Sequence, residues 1–275
     1  MALDPPVSGM PDDPGWYRFW ADYTAAQAHN TRRPTKVIDR RVRRLFHDLC
    51  RVVEPTVVLE LGAHEGAFST WAKGTFPDAR CLALEANPYV HRQFREQLDD
   101  AGVEYLQVAA AASNGSVSIN IPTQIGSQAK ERTSRMASLA VHQRAVGNET
   151  VDVEAVRVDD AVPLTEADRV VAWIDVEGAS DAVLSGGRET LARADAVYIE
   201  VEAVEKWSGQ WLDVDVARFF RSIGKIPAMR DIQRAQQYNV VFVSPELAGR
   251  DGVAERVARL LRPPRESQDA GATVG

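Results

Sequence analysis

The sequence predicts an α/β fold, strands and helices alternating around a parallel sheet, and three stretches carry that reading. Residues 56–68 (TVVLELGAHEGAF), 81–88 (CLALEANP) and 170–178 (VVAWIDVEG) each run apolar and β-rich, close on an acid and enter a turn. An apolar run without alternation is the mark of a strand buried on both faces, as in a parallel sheet covered by helices. Helix-like segments at 67–73 and 88–98 separate the first strands, and strand, helix, strand order with right-handed crossovers makes the sheet parallel.

Around that frame the chain divides into three parts. Its 275 residues, 45% apolar, suit one domain over 53–262, preceded by a disordered start and helical extension over 1–52 and followed by a disordered tail over 263–275. The net charge of -7 argues against a nucleic-acid partner held by phosphate contacts. No apolar run reaches membrane-spanning length and the first residues lack a charged start followed by an apolar core, so no membrane partner and a cytoplasmic location are expected. Cys50 and Cys81 show no metal-binding spacing and read as core thiols. Trp16, Phe19, Trp20 and Tyr23 recur at helical spacing, a stripe expected to pack on the main domain, with a pocket lid or a homodimer contact as the alternative. Ile38, Val42, Leu45, Phe46 and Leu49 mark a second amphipathic helix with Arg40, Arg41, Arg43 and Arg44 on its outer side.

In the first strand-turn unit, Gly62 and Gly66 let the backbone turn sharply and approach a ligand at the carboxyl end of a strand, where open α/β sheets bind ligands. The spacing G-x-x-x-G departs from the dinucleotide G-x-G-x-x-G, and Glu60 beside the turn suits a cationic ligand group better than a pyrophosphate. Glu85, at the end of the next strand, stands where an acid accepts ribose hydroxyls. Asn87 and Pro88 cap the helix that follows. A third strand is expected over 105–108, then Ala109 to Ala112 as a run of small residues with room for a flat ring. Asn114-Gly115 leads into an alternating strand over 117–121, and 151–158 is another. The polar stretch 122–148 between them, which holds His142, reads as a long substrate-facing connection.

Further on, the 170–178 strand ends in Asp175 and Glu177, and in the strand over 196–202 Glu200 and Glu202 face one side. These four acids are expected to cluster at the carboxyl edge of neighbouring strands. Trp207 and Trp211 fit core packing or a platform under a sugar ring. A helix over 214–223, an antiparallel edge hairpin from strands at 226–229 and 238–243, and a terminal amphipathic helix over 253–261 complete the chain.

VLELGAHEGAFS, CLALEANP, the 158–187 segment with VDD, IDVEG and VLSGG, then IEVE and NVVFV resemble, in that order, the FkbM-type S-adenosylmethionine-dependent O-methyltransferases. IDVEG with IEVE downstream is the most specific element. The resemblance implies a class I methyltransferase (Rossmann-like) fold, a seven-stranded sheet with helices on both faces and its last strand antiparallel. It implies S-adenosyl-L-methionine as cofactor and a small-molecule hydroxylated acceptor, a sugar, oligosaccharide or polyketide-type metabolite. Carried onto this chain, Glu60, Gly62, His64 and Gly66 would border the methionine part of the cofactor, Glu85 the ribose, and 175–178 the methyl-transfer site, with Asp175 beside the cofactor. His64 stands where a small amide is usual, and Trp173 where a lysine is common.

The candidate general bases are His142, Asp175 and Glu177. Asp175 with Glu200 and Glu202 could instead hold a divalent metal such as Mg²⁺, which lowers the pKa of a bound hydroxyl. Two rival functions remain at this stage: an NAD-dependent oxidoreductase, favoured by Glu85, and a non-catalytic cofactor- or glycan-binding module using Trp207 and Trp211.

Overall fold

The computed structural model describes residues 35–231 and 236–261. The chain enters through α1 (Thr35–Val53) and continues as β1 (Val57–Leu61), α2 (Ala67–Thr75), β2 (Arg80–Leu84), α3 (Pro88–Asp100) and β3 (Glu104–Leu106). A β-rich insertion follows, with β4 (Ala109–Ala110), β5 (Gly115–Ile125), β6 (Gln128–Ala129) and β7 (Ala145–Val156). Next come α4 (Val158–Ala161), β8 (Val170–Ile174), α5 (Ser180–Gly186), α6 (Arg188–Arg193) and β9 (Ala194–Glu202). The chain then forms α7 (Asp213–Ser222), β10 (Ile226–Arg230), β11 (Gln237–Val243), α8 (Pro245–Ala248) and α9 (Val253–Leu261).

Seven strands form the main sheet in the order β10-β11-β9-β8-β1-β2-β3. β1 lies parallel to β2 and β8, and β8 parallel to β9, whereas β11 runs antiparallel to both β9 and β10. This is the class I methyltransferase arrangement, its last strand antiparallel and closing a hairpin with β10. From β1 the chain winds one way through β2 and β3, then returns to the other side of β1 as β8. The reversal opens a crevice beyond the carboxyl ends of β1 and β8.

All five residues of β1 are buried, because side chains of alternate residues enter two separate cores. Val57, Leu59 and Leu61 meet Val183 and Leu184 of α5, Leu191 of α6 and Phe220 of α7. Val58 meets the other face, where Val42, Leu45, Phe46 and Leu49 of α1 and Phe68 of α2 pack with Cys81 and Tyr198. Each fully buried side chain of this size contributes about 1.5–3 kcal/mol. Cys50 and Cys81 are buried free thiols, as expected. Among the described residues no helix is long and apolar enough to cross a membrane.

The insertion is where the sequence reading needs correction. The third strand ends at Leu106 rather than at 108, and the chain turns into β4 of a second sheet, ordered β4-β7-β5-β6. The stretch 122–148 is not one long connection: β5 runs on to Ile125, β6 pairs with it, and β7 begins at Ala145. Its alternation is hard to read because neither face of β7 is buried over 145–150, and small residues such as Ala145 and Gly147 stand where larger apolar ones would announce a strand. The pairing also shifts register between Pro122 and Gln124, where Pro122 offers no N–H to the ladder. Ala109, Ile119, Ile121 and Val153 form this sheet's own small core. The aromatic stripe from Trp16 to Tyr23 and the tail from 263 lie outside the described residues.

Candidate active site

The turn after β1 is built by conformation. Gly62 has φ 76°, and a Cβ there would lie 2.1 Å from the Asp175 backbone oxygen. Gly66 has φ 62°, and a Cβ there would lie 2.2 Å from Leu98 Cδ2. His64 between them is also left-handed, at φ 47°, a region where Asn, Asp and His are tolerated best. A histidine therefore suits this turn. The buried Glu60 carboxylate accepts from the N–H groups of Phe68 (3.2 Å) and Ser69 (2.7 Å), so it caps α2 and satisfies two donors the helix leaves open. Burial foremost, with repulsion from Asp175 the least of its influences, pushes its pKa up to about 7 against these hydrogen bonds.

Glu85 sits buried at the end of β2. Its Oε2 accepts from His64 N–H and its Oε1 from Asn87 N–H, both at 2.8 Å, and burial raises its pKa. The carboxylate thus joins the two turns that follow β1 and β2, and each oxygen retains a lone pair for a ligand hydroxyl. Asn87 caps α3 as expected, accepting from Tyr89 N–H at 3.0 Å.

These groups open on a cavity of about 1070 Å³, lined by Glu60, Gly62, His64, Glu85, Asp175 and Glu177 from the main sheet's turns and by the second sheet opposite. Val108, Ala109 and Ala110 line it too. Ala111 instead packs on Gly186, where a Cβ would lie 1.9 Å from the Ala111 oxygen; only the first half of the small-residue run faces the cavity.

The four acids do gather at the ends of β8 and β9, in a different grouping from the expected one. Carboxylate oxygens of Glu177, Glu200 and Glu202 all lie within 4.8 Å of one another. Of the acids expected to hold a metal, Glu200 and Glu202 belong to this trio, with Glu177 beside them in the place expected for Asp175. Asp175 follows β8 directly, its N–H donating to Leu61 O at 2.9 Å, whereas Glu177 stands two residues further along the turn. Gln237 Nε2 donates to Glu200 at 2.5 Å and to Glu202 at 3.3 Å, and Gln210 donates to Glu202 at 3.1 Å. Burial first, then repulsion from Asp175 and Glu202, pushes the Glu177 pKa up to about 8. Burial followed by the neighbouring acids takes Glu200 to about 9, and burial raises Asp175 and Glu202 as well. Glu177 and Glu200 therefore keep their protons to higher pH than an ordinary carboxylate.

His142 comes to the same cavity from the far side. It forms an isolated β-bridge with Trp207, whose ring it meets edge-on at 4.8 Å. Its Nδ1 accepts from Arg144 N–H at 3.1 Å, so the neutral ring carries its proton on Nε2 and offers a donor there. Burial and the cations Arg144, Lys206 and Lys130 lower its pKa. Trp207 is fully buried in the cavity wall against Gly178, where a Cβ would lie 2.2 Å from Trp207 Cγ. Trp211 packs instead with the main core beside Phe219, ring centroids 6.2 Å apart, so a two-tryptophan platform is not formed. Trp173, where a lysine was usual, lines the cavity and stacks on Tyr198 at 3.7 Å. The cavity's cations Lys130, Arg135, Arg144 and Lys206 are among the lining residues that escaped the sequence reading; scattered cations in polar turns leave no spacing signal.

Residues 60–240 match the family described as methyltransferase FkbM domain. The chain is 26% identical over 191 residues to the 2-O-methyltransferase NoeI of Sinorhizobium fredii, which covers 66% of this chain and 77% of NoeI. It is 26% identical over 164 residues to the methyltransferase sdnD of Sordaria araneosa, over 51% of this chain and 63% of sdnD. Among solved structures, similarity is found to a methyltransferase FkbM from Methylobacillus flagellatus KT, at 13% identity and a TM-score of 0.44, over 69% of this chain and 44% of that one. It extends to a precorrin-6y C5,15-methyltransferase from Geobacter metallireducens, at 12% identity and a TM-score of 0.41, over 74% of this chain and 86% of that one.

Proposed function

The chain belongs to the methyltransferase FkbM domain family, and from that premise we propose that it is an S-adenosylmethionine-dependent O-methyltransferase whose acceptor is a hydroxyl on a sugar, oligosaccharide or polyketide-type small molecule. Membership sets aside the oxidoreductase and the non-catalytic module. The observation that carries the reading is a single cavity into which the glycine turn after β1, Glu85 after β2 and the acids after β8 and β9 all open. The 2-O-methyltransferase relative supports oxygen as the methylated atom.

The residues present fit the cofactor. Gly62 lines the cavity without room for a side chain, whereas Gly66 is not in the lining and lets the turn close against Leu98. Glu60 and Asp175 suit the cationic amino acid end, Glu85 the ribose hydroxyls, and Val108 to Ala110 a flat apolar ring. When bound, S-adenosylmethionine supplies a methyl group on a positively charged sulfur. The protein's share is placement, since holding the acceptor oxygen in line at near-attack distance is worth about 7–11 kcal/mol. Glu177 takes the acceptor's proton at a carboxylate oxygen, its pKa near 8 suiting a base at physiological pH. Asp175 is the second candidate, and His142 orients the acceptor through Nε2–H.

A metal-assisted variant is favoured by the close approach of Glu177, Glu200 and Glu202. These oxygens would hold a hard cation such as Mg²⁺, which acts by lowering the acceptor hydroxyl's pKa, and loading it would expel the protons the acids share. Calorimetry with MgCl₂ in buffers of different ionisation enthalpy reads that proton release; absence of heat, with activity indifferent to EDTA, leaves the carboxylate route.

The decisive experiment for the function is binding of S-adenosylmethionine followed by transfer of a labelled methyl group to hydroxylated acceptors. Binding of NAD in its place, or transfer to nitrogen or carbon only, would overturn the reading.

A further inference from the structure

The cavity has two electrostatic halves. The ends of β8 and β9 supply acids, whereas the opposite wall, from the second sheet and the loop after β9, supplies Lys130, Arg144 and Lys206 around His142. Backbone pairing holds this wall together. Gln143 N–H donates to Lys206 O at 2.8 Å and Ser208 N–H to Val141 O at 3.0 Å, on either side of the His142–Trp207 bridge. Gly126 N–H donates to Arg144 O at 3.0 Å, and Lys130 N–H to Thr123 O at 2.9 Å, which ties the β5–β6 turn to the start of β7.

Arg135, also in the lining, pairs with Glu65 at 2.7 Å, and Arg132 pairs with Glu149 at 2.6 Å. Among the described residues neither Lys130, Arg144 nor Lys206 has a carboxylate within ion-pair distance. The nearest polar partner of Lys130 Nζ is Gln128 Oε1 at 3.5 Å. Glu205 also lines the cavity, but its Oε1 is turned to Gly209 N–H at 2.8 Å. Three cations without an ion-pair partner among the described residues, gathered beside a histidine N–H, suit a ligand that brings a negative charge.

We propose that the acceptor carries an oxyanion, a phosphate, sulfate or carboxylate, seated against Lys130 and Arg144 and the Nε2–H of His142, with Lys206 between it and the reacting hydroxyl. The assignment deepens the methyltransferase reading and rests on it. Lys206 belongs to both halves, since its charge is felt by Glu177 and Glu202 as well as by His142. Lys130 and Arg144 act on the anion alone and are the residues to vary.

The full chain is titrated by calorimetry with inorganic phosphate, inorganic sulfate and acetate, then with glucose and glucose 6-phosphate, each at low and high salt. At least one anion is expected to bind, more weakly at high salt, and the tightest of the three names the class. Lys130→Ala and Arg144→Ala are each expected to weaken that binding about tenfold or more, with Lys130→Arg retaining it and affinity for S-adenosylmethionine unchanged in all three variants. Anion binding equal in wild type and in the double alanine variant, or no anion binding at all, overturns the proposal. If that occurs while S-adenosylmethionine still binds and methyl transfer to a neutral acceptor continues, the anion site alone is lost; failure of S-adenosylmethionine to bind removes the methyltransferase reading itself.

Discussion

A β-carbon at position 62 would collide with the carbonyl of Asp175 in a backbone already left-handed. Gly62→Ala should therefore cost about 1–2 kcal/mol for the conformation alone, and more for displacing Asp175; a lower Tm together with lost S-adenosylmethionine affinity checks this, and unchanged values would mean the turn relaxes freely. Glu177 makes a different prediction. A base acts deprotonated, and its pKa is raised to about 8, so kcat should climb as pH rises through that value. Glu177→Gln should remove the climb and slow turnover about 10²–10⁴-fold; a variant that keeps it would transfer the role to Asp175. Glu85 lines the cavity and accepts from two backbone N–H groups. Glu85→Ala should weaken cofactor binding and also lower stability by about 1–3 kcal/mol for the donors left unpaired, seen as parallel losses in calorimetry and denaturant unfolding.

Among the elements, what could be read from sequence followed burial. β1, β2, β8, β9 and β11 announce themselves because both faces are covered, and the acids that end β1, β2, β8 and β9 stand out against those apolar runs. β5 and β7 stayed half hidden because their extensions past Pro122 and before Asn148 bury neither face and look like loop. Which acids meet was not readable either: Asp175 and Glu177 differ by two positions in one turn, and only the turn's path decides which of them joins Glu200 and Glu202. The cations of the second sheet were invisible for the same reason, being brought together by strand pairing across a long separation in the chain. The small core of that sheet gives a test of its independence. Ile121 is fully buried there, and Ile121→Ala should cost about 2–5 kcal/mol. Hydrogen exchange should then quicken over 115–156 and leave β1, β8 and β9 protected; uniform quickening would show that the two sheets open together.

For the molecule as a whole, the buried acids make stability depend on pH in an unusual sense. Glu200, with its pKa raised from 4.5 to about 9, binds its proton more tightly folded than unfolded, and Glu177 does the same. That contribution is complete below the ordinary carboxylate range and is lost as pH rises through about 8 to 9. The Tm should accordingly be higher at pH 6 than at pH 9, and Glu200→Gln, which cannot ionise, should flatten the difference. A Tm that rises over the same interval would mean the acids are already ionised and neutralised at pH 6.

Ala109 and Ala110 pair with Ala155 and Val156 in parallel register, so the whole stretch between them departs from and rejoins the rest of the chain at one place. Such a stretch can be lengthened, shortened or swapped for a counterpart without straining the junction. Backbone ties also run from Val141 and Gln143 of that stretch to the loop after β9, so a change in its length would be felt at that wall of the cavity while the turns after β1 and β2 keep their paths.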